Sequence, residues 1–167
     1  DSSRAGEALF QAGLCYVNAK RWLDAAASFE QVEETYTTSH YTPQALYLLG
    51  ECLTNLGRLE DAREVWSRNA TEYPSSPWGQ RSDVSKALSK GQEGDFRGAL
   101  SDLLSLRQDS QFYNAAQQMA EDLKAMDQIP RKSPAAAGLL SAILPGVGQF
   151  YLGRYRHGTV AVIFNGL

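Results

Sequence analysis

Histidine, cysteine and methionine are scarce in this 167-residue chain, which holds two of each. His40 and His157 have no cysteine or carboxylate near them at a metal-ligand spacing, so no metal centre is expected. No nucleophile stands with a base and an orienting partner, and the expectation is a non-enzymatic chain with no cofactor and no small-molecule substrate. Basic excess is missing too: a formal net charge of -3 and a pI near 5.4 leave no electrostatic footprint for nucleic acid. Asp1 to Glu7 is polar rather than apolar, unlike a secretory signal, as expected of a mature or excised chain. Acidic residues stop at Asp127, beyond which Arg131, Lys132, Arg154 and Arg156 carry the only full charges. The last forty residues are therefore a different kind of segment from the body.

What the body does have is a repeat. Ala25, Ala62 and Ala99 lie 37 residues apart, and the same offset relates Gly13 to Gly50, Cys15 to Cys52, Asn18 to Asn55 and Gly57 to Gly94. A period of that length points to a helical solenoid, whose units stack because none buries its apolar face alone. Apolar residues at helical spacing define the helix pairs: Leu9, Ala12, Gly13 and Tyr16, then Ala25, Phe29, Val32 and Tyr36. The second pair repeats this with Leu46, Leu49, Gly50 and Leu53, then Ala62, Val65, Trp66 and Tyr73. Asn18-Ala19-Lys20 and Asn55-Leu56-Gly57 separate the helices within pairs, Thr42-Pro43 opens a helix, and Tyr73-Pro74 closes one. A third unit, Trp78 to Arg107, keeps Gly94 and Ala99-Leu100-Leu103-Leu106, but its first helix is polar. A last helix, Gln111 to Met126, presents Ala115, Met119 and Leu123 on one face and is expected to cap the stack.

The pattern Leu46, Leu49, Gly50, Leu53, Gly57, Ala62, Trp66 and Pro74 resembles the tetratricopeptide repeat. The first unit matches at Leu9, Gly13, Tyr16, Ala25 and Phe29 without the terminal proline. The resemblance covers roughly residues 5 to 107. It implies an all-α solenoid of about three helix pairs plus a capping helix, and a 37-residue unit is similar to the periplasmic repeat proteins of bacterial envelopes. The glycine lets paired helices approach while an aromatic fills the gap at the far end of the pair. In such proteins the first helix of each unit lines a concave groove, here with Phe10, Leu14, Val17 and Asn18, then Tyr47, Glu51 and Asn55. The expected partner is a protein or peptide, gripped by the repeated aromatic and the repeated amide. Two other readings stand beside this: the asparagines cap helix ends, and Phe10 and Tyr47 pack within the stack.

Cys15 and Cys52 sit on equivalent positions of adjacent helices, too far apart for a disulfide, and are expected to be buried small hydrophobes. Glu30, Glu33, Glu34, Glu60, Asp61 and Glu64 are spaced like the solvated side of helices. Asn69-Ala70-Thr71 satisfies a glycosylation sequon but falls inside an expected helix. The glycines around Val147 lack the spacing and the preceding strand of a dinucleotide fingerprint.

The domain organisation expected is a repeat domain at 1–127, a linker at 128–134 and an apolar segment at 135–167. Ala135 to Leu152 carries no charge over 18 residues, enough for a thin span, but Pro145, Gly146 and Gly148 interrupt it and suit a helical hairpin better. A second apolar run, Thr159 to Phe164, reads as cut off at Leu167. Ser133-Pro134 with Leu144, Pro145, Gly146, Gly148, Gln149, Phe150, Tyr151 and Gly153 resembles a small bacterial membrane module, in which glycines allow close helix contact and aromatics sit at the headgroups. The resemblance implies association with the bacterial envelope, with the repeats in the periplasm by analogy. The alternative is a soluble adaptor in which the tail packs on the solenoid or on another copy.

Overall fold

A computed structural model describes residues 2–37 and 39–127. The apolar tail, with Leu144, Pro145, Gly146, Gly148, Gln149, Phe150, Tyr151 and Gly153, lies outside them. Seven helices and no strand occur among the described residues: α1 Ser2–Asn18, α2 Trp22–Thr35, α3 Thr42–Asn55, α4 Leu59–Glu72, α5 Pro77–Gln92, α6 Phe96–Leu104 and α7 Tyr113–Asp127. None of them is long and apolar enough to cross a membrane.

The chain divides into two compact units, Asp1–Lys86 and Ala87–Leu167, and the division falls inside α5. In the first unit, consecutive helices α1 to α4 pack on one another. The loops within pairs, 19–21, 56–58 and 93–95, are equal in length and offset by 37. Each reverses the chain at one left-handed residue, Lys20 at φ 56°, Gly57 at φ 78° and Gly94 at φ 86°. Glycine adopts that conformation without strain, and Lys20 does not.

The core of this unit is a repeated knob in a repeated hole. A side chain at Gly13 would meet the Phe29 ring at 2.5 Å, and one at Gly50 would run into the Trp66 indole. Phe29 and Trp66 are themselves 37 apart and buried at 0% and 2% exposure. Glycine is required at both sites because the aromatic already fills the volume a Cβ would occupy. The Trp66 Nε1 also donates to the Tyr47 carbonyl at 3.1 Å. At the corresponding places the third repeat has Ala87 and Leu103, both buried, so a larger residue on one helix is matched by a smaller one on the other.

The polar first helix expected for the third repeat is α5, which buries its serines. Ser82, Ser85 and Ser89 are inaccessible together with Val84 and Ala87. Near the start of the helix, a Cβ at Gly79 would strike the Tyr73 carbonyl. Asn69, fully buried on α4, donates to the Pro43 carbonyl and to the Ser82 hydroxyl, both at 2.9 Å. Burial removes Asn69 from the reach of a glycosylating enzyme in the folded chain.

In the second unit α6 begins at Asp95, whose carboxylate accepts from the Gly98 amide at 2.9 Å and caps the helix. Lys90 and Asp102 pair at 2.7 Å. α7 packs on α6, and its Ala116 and Ala120 are buried. Ala115, Met119 and Leu123, the face expected to be covered, are half-buried instead. The buried stripe sits one residue further along, at Ala116 and Ala120.

Candidate partner-binding face

The groove residues named from the repeat sit on α1 and α3, and the structure sorts them into two depths. Leu14 and Glu51 are half-buried and Asn18 and Asn55 exposed, one helical turn further along the same faces. Phe10 and Tyr47 are instead buried at 2% and 5% exposure. Exposure of these two rings to a groove is therefore corrected: each is covered by an aromatic that precedes or opens the first helix of the next repeat. Phe10 stacks on Tyr41 with centroids 4.9 Å apart, and Tyr47 meets Trp78 at 5.4 Å. Phe10 and Tyr47 are 37 apart, and so are Tyr41 and Trp78. That second coincidence is legible in the sequence, although Tyr41 and Trp78 lie outside the repeat's usual signature.

Around the second ring pair a polar cluster forms within the first unit. The Arg81 guanidinium lies over the Tyr47 ring at 5.7 Å and over the Trp78 ring at 5.6 Å. The Tyr47 hydroxyl is hydrogen-bonded to Glu51 and Ser85, and burial, reinforced by the Glu51 charge, pushes its pKa well above the usual phenol range. Burial likewise raises Glu51, while the Tyr47 hydroxyl and Arg81 pull it back down. Glu51 is thus a desolvated carboxylate held beside a guanidinium on the face that carries Leu14. At the first ring pair, Tyr41 is raised by burial and by Glu7.

Asn55 ends α3 and donates its side-chain amide to the Glu51 carbonyl of the same helix at 2.9 Å, while the residue that caps α3 is Leu56. Cys52 is buried and its thiol is pushed up to about 12 by desolvation, with Glu51 adding to the effect. Cys15, expected to be buried like Cys52, is exposed in the structure of the described residues. Both cysteines are free thiols. Among the described residues no group of histidines, cysteines and carboxylates could hold a metal ion. Glu60 and Glu64 are exposed, as read from their spacing. Arg21 with Asp24 and Arg58 with Asp61 form the same surface pair one repeat apart, at 2.8 and 2.6 Å.

Comparison with known proteins agrees with the periodicity. Residues 7–39 and 44–76 each match the family model for the tetratricopeptide repeat, so this chain contains tetratricopeptide repeats. The chain is also similar to the outer membrane protein assembly factor BamD of Rickettsia prowazekii (strain Madrid E), at 33% identity over 66 residues. That match covers 40% of this chain and 26% of the relative's length.

Proposed function

We propose that this chain is a non-enzymatic scaffold that recruits a protein partner through the first-helix side of its repeats, at the membrane of a bacterial envelope. The observation that carries the reading is the register of α1 and α3: Leu14 with Asn18 and Glu51 with Asn55 recur at one repeat's spacing on the accessible part of one face. Phe10 and Tyr47 support that face from beneath rather than touch the partner. An extended or helical peptide laid across it would meet apolar contact at Leu14, a carboxylate at Glu51 and amides at Asn18 and Asn55. The likeness to a BamD protein supports an envelope role, and assembly of outer membrane proteins is the process that name suggests. The glycine-rich apolar tail from Ser133 would hold the repeats at the membrane, with the repeats periplasmic.

Two experiments test the two halves. A photo-crosslinking amino acid placed at Leu14 or Asn55 should give an adduct with a discrete protein in cells, whereas Glu34 and Glu64 on second helices should not. Equal adducts from all four positions would sink the groove assignment. For the tail, the chain should partition into the detergent-extractable pool and a version ended at Gln128 into the soluble pool; identical partitioning of both removes the tether.

A further inference from the structure

Asn69, in the last turn of α4, is fully buried and yet incompletely satisfied. Its amide nitrogen donates to the Pro43 carbonyl and to the Ser82 hydroxyl, while its side-chain oxygen accepts no hydrogen bond among the described residues. The Pro43 carbonyl fixes which way the amide points, since only the nitrogen can donate to it. Three helices meet at this side chain: the start of α3, the end of α4 and the first half of α5. One repeat earlier the position of Asn69 is Val32 and that of Ser82 is Ala45, both at 0% exposure. The first seam is thus apolar where the second is polar. A buried amide with an unmet oxygen is a poorer source of stability than a valine, so stability does not account for it. What the polar pair adds is direction, because a hydrogen bond holds at only one separation and one rotation of the two helices.

α5 has need of such a fix. Ser82 and Ser85 stand where α3 has Ala45 and Leu48, so apolar contact grips this helix less than it grips α3. Its first turn is set by Gly79 against the Tyr73 carbonyl, and Asn69 holds it further along. Ser82 lies between the two residues that complete the Glu51 cluster. Arg81 places its guanidinium over the Tyr47 and Trp78 rings, and Ser85 is hydrogen-bonded to the Tyr47 hydroxyl. We propose that Asn69 is a positioning residue for the partner-binding face: through Ser82 it fixes the seat of α5, and with it the places of Arg81 and Ser85 around Tyr47 and Glu51. The inference rests on the scaffold reading for the use of that face, and it adds a residue that sets the geometry of the face without touching the partner.

Fluorotryptophan labelling of the full chain reads the seat directly, because Trp22, Trp66 and Trp78 are its tryptophans and Trp78, in the first turn of α5, lies against Tyr47. The Trp78 fluorine resonance, assigned with Trp78→Phe, should be a single sharp line. Asn69→Val combined with Ser82→Ala rebuilds the apolar pair of the first seam and removes donor and acceptor together, so this variant should keep or raise the urea midpoint. In it the Trp78 line should split or broaden while the Trp22 line stays sharp. Ser82→Ala alone, which removes one oxygen, should show the same loss in weaker form. A sharp, unshifted Trp78 line in both variants overturns the proposal, and a lowered midpoint with that line intact marks Asn69 as merely structural. If the double variant fails to fold, the Trp78 line of Ser82→Ala decides in the same way. No partner takes part in this measurement, whereas crosslinking from Leu14 or Asn55 reads the partner alone, so either reading can fail while the other stands.

Discussion

At the scale of single residues, two glycines do unlike work. Gly57 has open space around it but a left-handed backbone, so Gly57→Ala should cost about 1 kcal/mol through strain alone. Gly50 has an ordinary helical backbone but no space, and Gly50→Ala should cost about 2–3 kcal/mol because Trp66 must move. Denaturant midpoints of the two variants check the order, and equal losses would refute the packing account. Lys20 holds the Gly57 position one repeat earlier, so Lys20→Gly should raise stability by about 1 kcal/mol. Glu51 gives a pH signature of its own. Its pKa is raised in the fold, so the native state binds its proton more readily than the unfolded chain does. Relative to Glu51→Gln, the chain should therefore gain stability as pH falls through the raised value, until the ordinary glutamate value is passed. Urea unfolding of both proteins between pH 7 and pH 4 measures this; an opposite slope would mean that Arg81 outweighs burial.

At the scale of elements, the ring pairs join one repeat to the next. A double-mutant cycle with Tyr47→Leu and Trp78→Leu should return a coupling of about 0.5–1.5 kcal/mol, and a value near zero would mean that the rings are neighbours without being partners. Helix boundaries within each pair could be read from the sequence, because a left-handed turn residue and a small, closely packed residue recur at 37. The depth of Phe10 and Tyr47 could not. It depends on Tyr41 and Trp78, which lie 31 residues away in sequence and reach the rings only once the pairs stack. The burial of the α5 serines is hidden in the sequence for a similar reason: a hydroxyl counts as polar in a periodicity, yet a serine occupies little volume and can bond to a buried neighbour such as Asn69.

At the scale of the whole chain, solenoid repeats contribute locally, so stability should vary along it. α6 is the shortest helix and leaves Phe96 and Leu104 at 36% and 43% exposure, whereas α3 buries most of its length. Hydrogen exchange should release the α6 amides before those of α3, and a uniform exchange rate would show one cooperative block instead. Thiol labelling near neutral pH gives a matching contrast, with Cys15 reacting in the folded chain and Cys52 only on unfolding. What the sequence alone determined was periodic: the helix pairs, the helical class of the described residues and the tetratricopeptide repeat. These follow from spacing, because helical pitch and repeat length are properties of the chain taken in order. Tertiary structure decided burial. Whether Cys15 or Cys52, Phe10 or Leu14 meets solvent depends on which helix is packed beside it, so two residues with identical local sequence roles part company in burial.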